Sequence, residues 1–138
     1  EYAGGWQTGS QPVLSMAPIE GSLKMFAEAG IDNIREKSLS QTAYLMYLIE
    51  EKLAKYGFRI GNPAADNMMR GGHVALEHNA ALKAEGVIPD FRYPDVIRLA
   101  PIALYTSYKD IYDMVERIID IMENKKYENF ENKTGTVA

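Results

Sequence analysis

Val96-Ile97-Arg98-Leu99-Ala100-Pro101 places one arginine inside an otherwise apolar run. The run predicts a strand over residues 96–99. A charged side chain embedded in an apolar strand is rarely unpaired, because burial without a partner is costly. The guanidinium of Arg98 suits a carboxylate, which it can hold through two parallel hydrogen bonds. An internal ion pair or a position on an edge strand would explain the same pattern equally well.

The sequence on both sides of this strand predicts a mixed fold. Further strands are predicted at residues 58–60, 73–78 and 87–91. Helices are predicted at residues 12–29, 31–56 and 80–85, and a last helix from residue 107. The element order is therefore helix, helix, strand, strand, helix, strand, strand, helix. This order predicts an α+β fold in which helices cover one side of a small, mostly antiparallel sheet.

The three longer helices each have an apolar stripe and recognisable ends. Gly30 and Gly57 are placed to end the first and second helices. Ser107 is an N-cap candidate for the last helix, with Asp110 three residues on as a weak capping box. The stripes are Met16, Ile19, Leu23 and Phe26; Thr42, Leu45, Ile49, Leu53 and Tyr56; and Ile111, Val115, Ile118 and Met122.

Composition excludes several classes of protein. A length of 138 residues fits one domain, and a net charge of −4 argues against nucleic-acid binding. The absence of cysteine excludes disulfides, thiolate catalysis and cysteine-bound zinc. No apolar run approaches the roughly 20 residues that span a bilayer, so we expect a cytoplasmic protein that binds no membrane. The chain starts at Glu1 rather than methionine, and we expect a fragment or a processed product.

Two other segments could carry chemistry. His73, Glu77 and His78 lack the spacing of the zinc-protease motifs, and on a strand the two histidines would point to opposite faces. We therefore predict no metal site. The loop Gly4-Gly5-Trp6-Gln7-Thr8-Gly9-Ser10 offers glycine amides and hydroxyls ahead of a helix, where a phosphate could bind. A flexible lead-in loop is the alternative.

Several segments, in order, resemble the kynureninase family. The most specific of them is Ile97-Arg98-Leu99-Ala100-Pro101, which is followed by Leu104-Tyr105 and Ser107. The resemblance covers almost all of the chain to about Met122. The other segments are Gly5-Trp6-Gln7-Thr8-Gly9-Ser10 with Pro12-Val13-Leu14-Ser15, Ile34-Arg35-Glu36-Lys37-Ser38 with Tyr44-Leu45, Arg70-Gly71-Gly72-His73, and Gly86-Val87-Ile88-Pro89-Asp90-Phe91-Arg92.

This resemblance implies a pyridoxal 5′-phosphate (PLP) enzyme of fold type I, the aspartate aminotransferase type. Kynureninases are homodimers that hydrolyse L-kynurenine to anthranilate and L-alanine in tryptophan catabolism, a pathway that leads to NAD. The resemblance implies that residues 1–124 are the C-terminal small domain, with residues 1–11 as an interdomain loop that contacts phosphate. Residues 125–138 would be a polar tail. L-Kynurenine and 3-hydroxykynurenine both remain possible substrates.

By motif match, the resemblance assigns Arg98 to the substrate α-carboxylate, and Ser10 with Gly9 to the PLP phosphate. Gln11 replaces the proline usual in the family, and the segment 78–84 is shorter than the family pattern. The lysine that binds PLP covalently belongs to the large domain, and nothing here resembles it. We therefore expect no catalytic residue in this chain and no activity from the chain alone.

Two alternatives stay open. The first is the small domain of another PLP enzyme of fold type I, such as a class V aminotransferase or a desulfurase. The second is a stand-alone module for binding small anions or for dimerisation. Exposed apolar surface on the isolated chain would favour the kynureninase interpretation, because a large domain would cover that surface.

Overall fold

A four-stranded antiparallel sheet, ordered β1-β2-β4-β3, is the centre of the fold. The computed structural model describes residues 3–6, 9–10, 12–62, 69–78, 90–92 and 96–126. The strands are β1 (Arg59–Ile60), β2 (Val74–Glu77), β3 (Asp90–Arg92) and β4 (Val96–Leu99). The helices are α1 (Val13–Ala29), α2 (Ile31–Leu48) and α3 (Tyr108–Glu123), with a short 3₁₀ turn at Ala3–Trp6. The predicted α+β class is confirmed.

The sheet is antiparallel throughout, as predicted. Val74 and Leu76 of β2 are fully buried, which confirms their predicted alternation with less buried neighbours. The strand predicted at 96–99 has those bounds in the structure. Asp90 and Phe91, the described residues of the strand predicted at 87–91, lie in β3 with Arg92, and Asp90 pairs with Arg98 instead of belonging to the connection to β4.

The second predicted helix changes its pitch near its end. It is α-helical to Leu48, then forms a π turn at Ile49–Leu53 and a 3₁₀ turn at Ala54–Tyr56. Ile49 and Leu53 are both buried, so the wider turn keeps the predicted apolar stripe against the core. Gly57 then ends the helix with φ +88°, a left-handed conformation that suits glycine.

α3 begins with a complete capping box. The hydroxyl of Ser107 accepts a hydrogen bond from the amide of Asp110, and the carboxylate of Asp110 accepts one from the amide of Ser107 at 2.8 Å. This confirms the predicted helix start. Ion pairs from Lys52 and Lys55 to Glu116 and Glu123 join α3 to the end of the second helix.

The hydrophobic core lies between the helices and one face of the sheet. The second helix and α3 cover the sheet face that carries Val74, Leu76, Ile97 and Leu99. The buried core residues are Leu45, Met46, Leu48, Ile49, Leu53, Phe58, Val74, Leu76, Ile97, Leu99, Ile111, Val115, Ile118 and Ile121.

The chain divides into two units, Glu1–Ile34 and Arg35–Ala138. In the first unit, α1 starts one residue after the predicted start at Pro12 and ends at Ala29 as predicted; it contains Pro18 and is followed by Gly30 with φ +76°. None of its residues is buried, and its predicted stripe is exposed, with Leu23 at 63%. The core belongs to the second unit. The predicted helix at 80–85, most of the predicted strand at 87–91 and the tail from residue 127 lie outside the described residues.

Candidate functional site

Arg98 lies in the middle of β4, between the buried side chains of Ile97 and Leu99. Successive side chains of a strand point to opposite faces, so Arg98 projects from the face opposite the core. It is partly buried there. We call this surface the Arg98 face. On β2 and β4 it comprises the partly buried residues Ala75, Glu77, Val96 and Arg98.

The neighbour of Arg98 on β2 is small. Ala75 is its direct register partner in the antiparallel pair. Direct cross-strand partners have Cβ atoms about 5 Å apart, so their side chains are in contact range. Because Ala75 carries only a methyl group, β2 offers no bulky side chain beside the guanidinium. This pairing could not be predicted from the sequence, because register depends on strands far apart in the chain.

Among the residues of β2 and β4, Glu77 is the carboxylate on the same face, and it has its own cation. Glu77 is the register partner of Val96 and is therefore diagonal to Arg98. Its Oε2 atom accepts a hydrogen bond from Nε of Arg59 at 2.7 Å. The Glu77 side chain is 24% exposed and that of Arg59 is 71% exposed. This ion pair partly offsets the negative charge that a carboxylate ligand of Arg98 would meet.

Two buried polar side chains hold the segments that adjoin β2 and β4. The amide of Gln41, on α2, donates a hydrogen bond to the carbonyl of Thr106 at 2.6 Å. The guanidinium of Arg70 donates one to the carbonyl of Leu39 at 3.0 Å and contacts Sδ of Met46 at 3.6 Å. Neither residue was predicted to be buried. An arginine before two glycines is typical of an exposed loop, and Gln41 adjoins a stripe position without belonging to it.

Gly9 and Ser10, the predicted phosphate contacts, lie in the first unit, whereas Arg98 lies in the second. Both residues are exposed and come shortly before α1. A Cβ atom added at Gly9 would meet no other atom within 4 Å, so packing does not explain the glycine. The first turn of α1 carries no acidic side chain, so the positive end of the helix dipole there is not neutralised by an acidic residue. Gln11 lies outside the described residues.

His73 and His78 lie in different environments. His73 is exposed. The ring of His78 lies against Phe58, with ring centroids 4.2 Å apart, and its Nε2 is 3.0 Å from the carbonyl of Tyr56. Within the described part of the chain, no three His, Cys, Asp or Glu side chains converge on a possible metal site.

Lys52 and Lys55 lack the lowered pKa of a lysine that forms a covalent bond with a carbonyl cofactor. A hydrogen bond to Glu116, with a further one to Tyr112, raises the pKa of Lys52. A hydrogen bond to Tyr56 raises the pKa of Lys55. An amine that attacks a carbonyl must lose its proton, so its pKa needs to be lowered instead. Lys24 and Lys109 are exposed and paired with Glu20 and Asp113.

These features define a class of protein. The second unit is an α+β small domain that presents an arginine on the sheet face opposite its core. A family model described as the kynureninase C-terminal domain matches residues 34–118. The chain belongs to this family. The start of the match coincides with the boundary between the two structural units.

Curated proteins named kynureninase match the whole chain. One from Geobacillus thermodenitrificans is 53% identical over 99% of this chain. One from Bacillus mycoides is 51% identical over 100% of it, and one from Shouchella clausii is 46% identical over the same share. In each case the match covers 33% of the relative. The chain therefore spans about a third of the length of these relatives, which indicates a larger partner domain.

Among the residues described, no helix is both long and apolar enough to cross a bilayer.

Proposed function

We propose that this chain supplies the part of a kynureninase that binds the substrate carboxylate. The complete protein would hydrolyse L-kynurenine or its 3-hydroxy derivative, giving anthranilate or hydroxyanthranilate and L-alanine. Family membership supports the reaction. The observation that carries the assignment within this chain is the position of Arg98, partly buried on the sheet face opposite the core.

Arg98 would bind and orient the α-carboxylate of the substrate. A guanidinium has five N–H donors, so two can hold a carboxylate while others keep contacts within the protein. Ile97 and Leu99 are buried on either side of Arg98 along β4, which fixes the backbone from which it projects. A fixed donor pair limits the rotation of the bound amino acid and so orients the bond to be broken.

PLP, when bound, supplies the electron sink for cleavage of the carbon–carbon bond. From this chain, the hydroxyl of Ser10, the backbone at Gly9 and the amides at the start of α1 would contact its phosphate. The open space at Gly9 and the absence of acidic residues in the first turn of α1 support this role.

The large domain of the complete protein would supply the lysine that binds PLP. The raised pKa values of Lys52 and Lys55 support this division of labour. The chain alone would accordingly be inactive. The proposal includes a cytoplasmic homodimer, in which the contact to the cofactor phosphate is made across the subunit interface.

The test measures anthranilate fluorescence when the complete protein that carries this chain is incubated with L-kynurenine and PLP. Arg98→Ala removes a charge-assisted pair, a loss of about 1.5–3 kcal/mol, and should raise KM roughly 10- to 100-fold. Arg117→Ala, which removes an exposed arginine from α3, is the matched control and should leave KM unchanged. An unaltered KM in Arg98→Ala would refute the role of Arg98.

Calorimetry on the chain alone tests the stand-alone alternative. We expect no measurable affinity for PLP or L-kynurenine in the absence of the large domain. Tight binding of either compound by the chain alone would favour an anion-binding module over this proposal.

A further inference from the structure

One stretch of α2 holds both chain segments that adjoin the strand pair β2–β4. The side chain of Gln41 donates to the carbonyl of Thr106, in the connection between β4 and α3. Two residues earlier, the carbonyl of Leu39 accepts from the guanidinium of Arg70, in the segment that leads into β2. Arg70 is itself held at its backbone, because its carbonyl accepts a hydrogen bond from Arg35 at 2.8 Å. We call Gln41 and Arg70 the α2 clamp.

The α2 clamp acts at one end of the strand pair. In the antiparallel register, Val74 at the start of β2 lies opposite Leu99 at the end of β4. Arg70 precedes Val74 by four residues, and the connection to Thr106 leaves from Leu99. Both tethered segments therefore emerge at the same end, and Arg98 is one residue inside that end.

The connection after β4 is short and has hydrogen bonds of its own, so a restraint on Thr106 also restrains the residues next to β4. The amide of Thr106 donates to the carbonyl of Ile102 at 2.8 Å. The hydroxyl of Thr106 accepts from the amide of Ile102 at 3.0 Å. A fixed carbonyl at Thr106 therefore fixes Ile102 as well, which is only four residues beyond Arg98.

A contribution to stability does not explain the residues of the α2 clamp. Gln41 is fully buried and Arg70 is 7% exposed. Oε1 of Gln41 and Nε of Arg70 are both buried without a hydrogen-bond partner. No carboxylate of the described residues is among the contacts of the Arg70 guanidinium. Buried polar groups without a hydrogen-bond partner reduce stability, and apolar residues of similar volume would avoid this loss of stability.

We propose that Gln41 and Arg70 are positioning residues that set the placement of the Arg98 guanidinium for substrate binding. The inference rests on the proposed function of Arg98. The α2 clamp holds β2 and β4 against α2 at the end next to Arg98. A displacement of about 1 Å there would prevent the guanidinium from holding both carboxylate oxygens at once.

The test is a double-mutant cycle in the complete protein, read as KM and kcat for L-kynurenine. Gln41→Met keeps the side-chain volume but removes the donor to Thr106, and Arg70→Lys keeps the charge but removes the guanidinium fork. Each should raise KM about tenfold, with kcat changed less than about twofold, because binding of the carboxylate is affected. In the Arg98→Lys background, where the fork is already lost, the same substitutions should change KM less than about twofold.

Ser40→Ala is the matched control. Ser40 is the residue before Gln41 on α2, and its exposed hydroxyl accepts a hydrogen bond from Tyr108 at 2.9 Å. Ser40→Ala should leave KM unchanged in both the wild-type and the Arg98→Lys backgrounds.

Equal increases of KM in the wild-type and Arg98→Lys backgrounds would overturn the proposal, because the effect would then not act through Arg98. An unchanged KM in both substitutions would overturn it as well. If Gln41→Met does not fold, the cycle with Arg70→Lys decides alone. A failure of the proposed function is distinguishable, since the unmodified complete protein would then form no anthranilate.

Discussion

Ala75 and Arg98 face each other across the β2–β4 pair, so that a methyl group lies beside a partly buried guanidinium. Under the proposed function, a carboxylate bound by Arg98 would need room on this side as well as two donors. The small side chain provides that room without opening the core, because Val74 and Leu76 on either side of it remain fully buried. The size of residue 75 should therefore affect ligand binding and leave folding almost unchanged.

Ala75→Leu should raise KM for L-kynurenine in the complete protein about tenfold, because the larger side chain occupies the space beside Arg98. The free energy of unfolding should change by no more than about 0.5 kcal/mol, since the residue lies outside the core. Steady-state kinetics and urea denaturation give the two quantities. Ala75→Ser, which keeps the side chain small, is the control. A comparable increase of KM in both variants would contradict this steric explanation.

The ion pair between Arg59 and Glu77 should protect Arg98 from a competing negative charge. Arg59→Met leaves the Glu77 carboxylate, roughly 7 Å diagonally across the pair, without its partner. A carboxylate bound by Arg98 would lie at about this distance or farther from Glu77, so the added repulsion should be at most about 1 kcal/mol, which corresponds to at most about a fivefold higher KM. Adding Glu77→Gln should restore the original KM. The effect should also fade at high salt. A KM that stays high in the double variant would show that charge is not the cause.

The sequence predicted those parts of the fold that depend on local spacing. The period of the apolar residues located the second helix, and Ser107 with Asp110 located the start of α3. The π turn at Ile49–Leu53 could not be predicted, because residues four apart are buried together in a π turn as well as in an α-helix. The stripe of α1 was also read correctly as a helical pattern, but a pattern does not reveal what covers it.

The site was predicted only in part, for a physical reason. Arg98 is conspicuous because a charge interrupts an apolar run. Its surroundings depend on register and on contacts between distant segments. Ala75, the Arg59–Glu77 pair and the α2 clamp are separated from Arg98 by 21 or more residues of chain. Gln41 and Arg70 are polar residues whose burial follows from tertiary packing alone.

The capping box should make the stability of the domain depend on pH below the usual range of aspartate. Hydrogen bonds from the backbone and side chain of Ser107 lower the pKa of Asp110 below its ordinary value of 3.8. A lowered pKa means that the folded state favours the carboxylate. The contribution is therefore complete above the unfolded pKa and is lost as pH falls through the lower folded value.

Asp110→Asn should accordingly lower the midpoint of thermal unfolding near pH 7, and this difference from the wild type should shrink as pH falls below about 3.8. Circular dichroism at a series of pH values measures it. Asp113→Asn, which removes a charge paired with Lys109 on the same helix, controls for the loss of one negative charge. A difference that stays constant from neutral to acid pH would rule out the proposed linkage.

Truncating one leucine in each of the two structural units should show that the core, and not α1, determines the stability of the chain. Leu76 is fully buried in β2, whereas Leu23 on α1 is 63% exposed. Leu76→Ala leaves a cavity and should reduce the free energy of unfolding of this chain by about 2–5 kcal/mol. Leu23→Ala removes no buried contact and should cost no more than about 0.5 kcal/mol. Urea denaturation followed by circular dichroism compares the two. Equal losses would mean that α1 contributes to the core on which β2 and β4 depend.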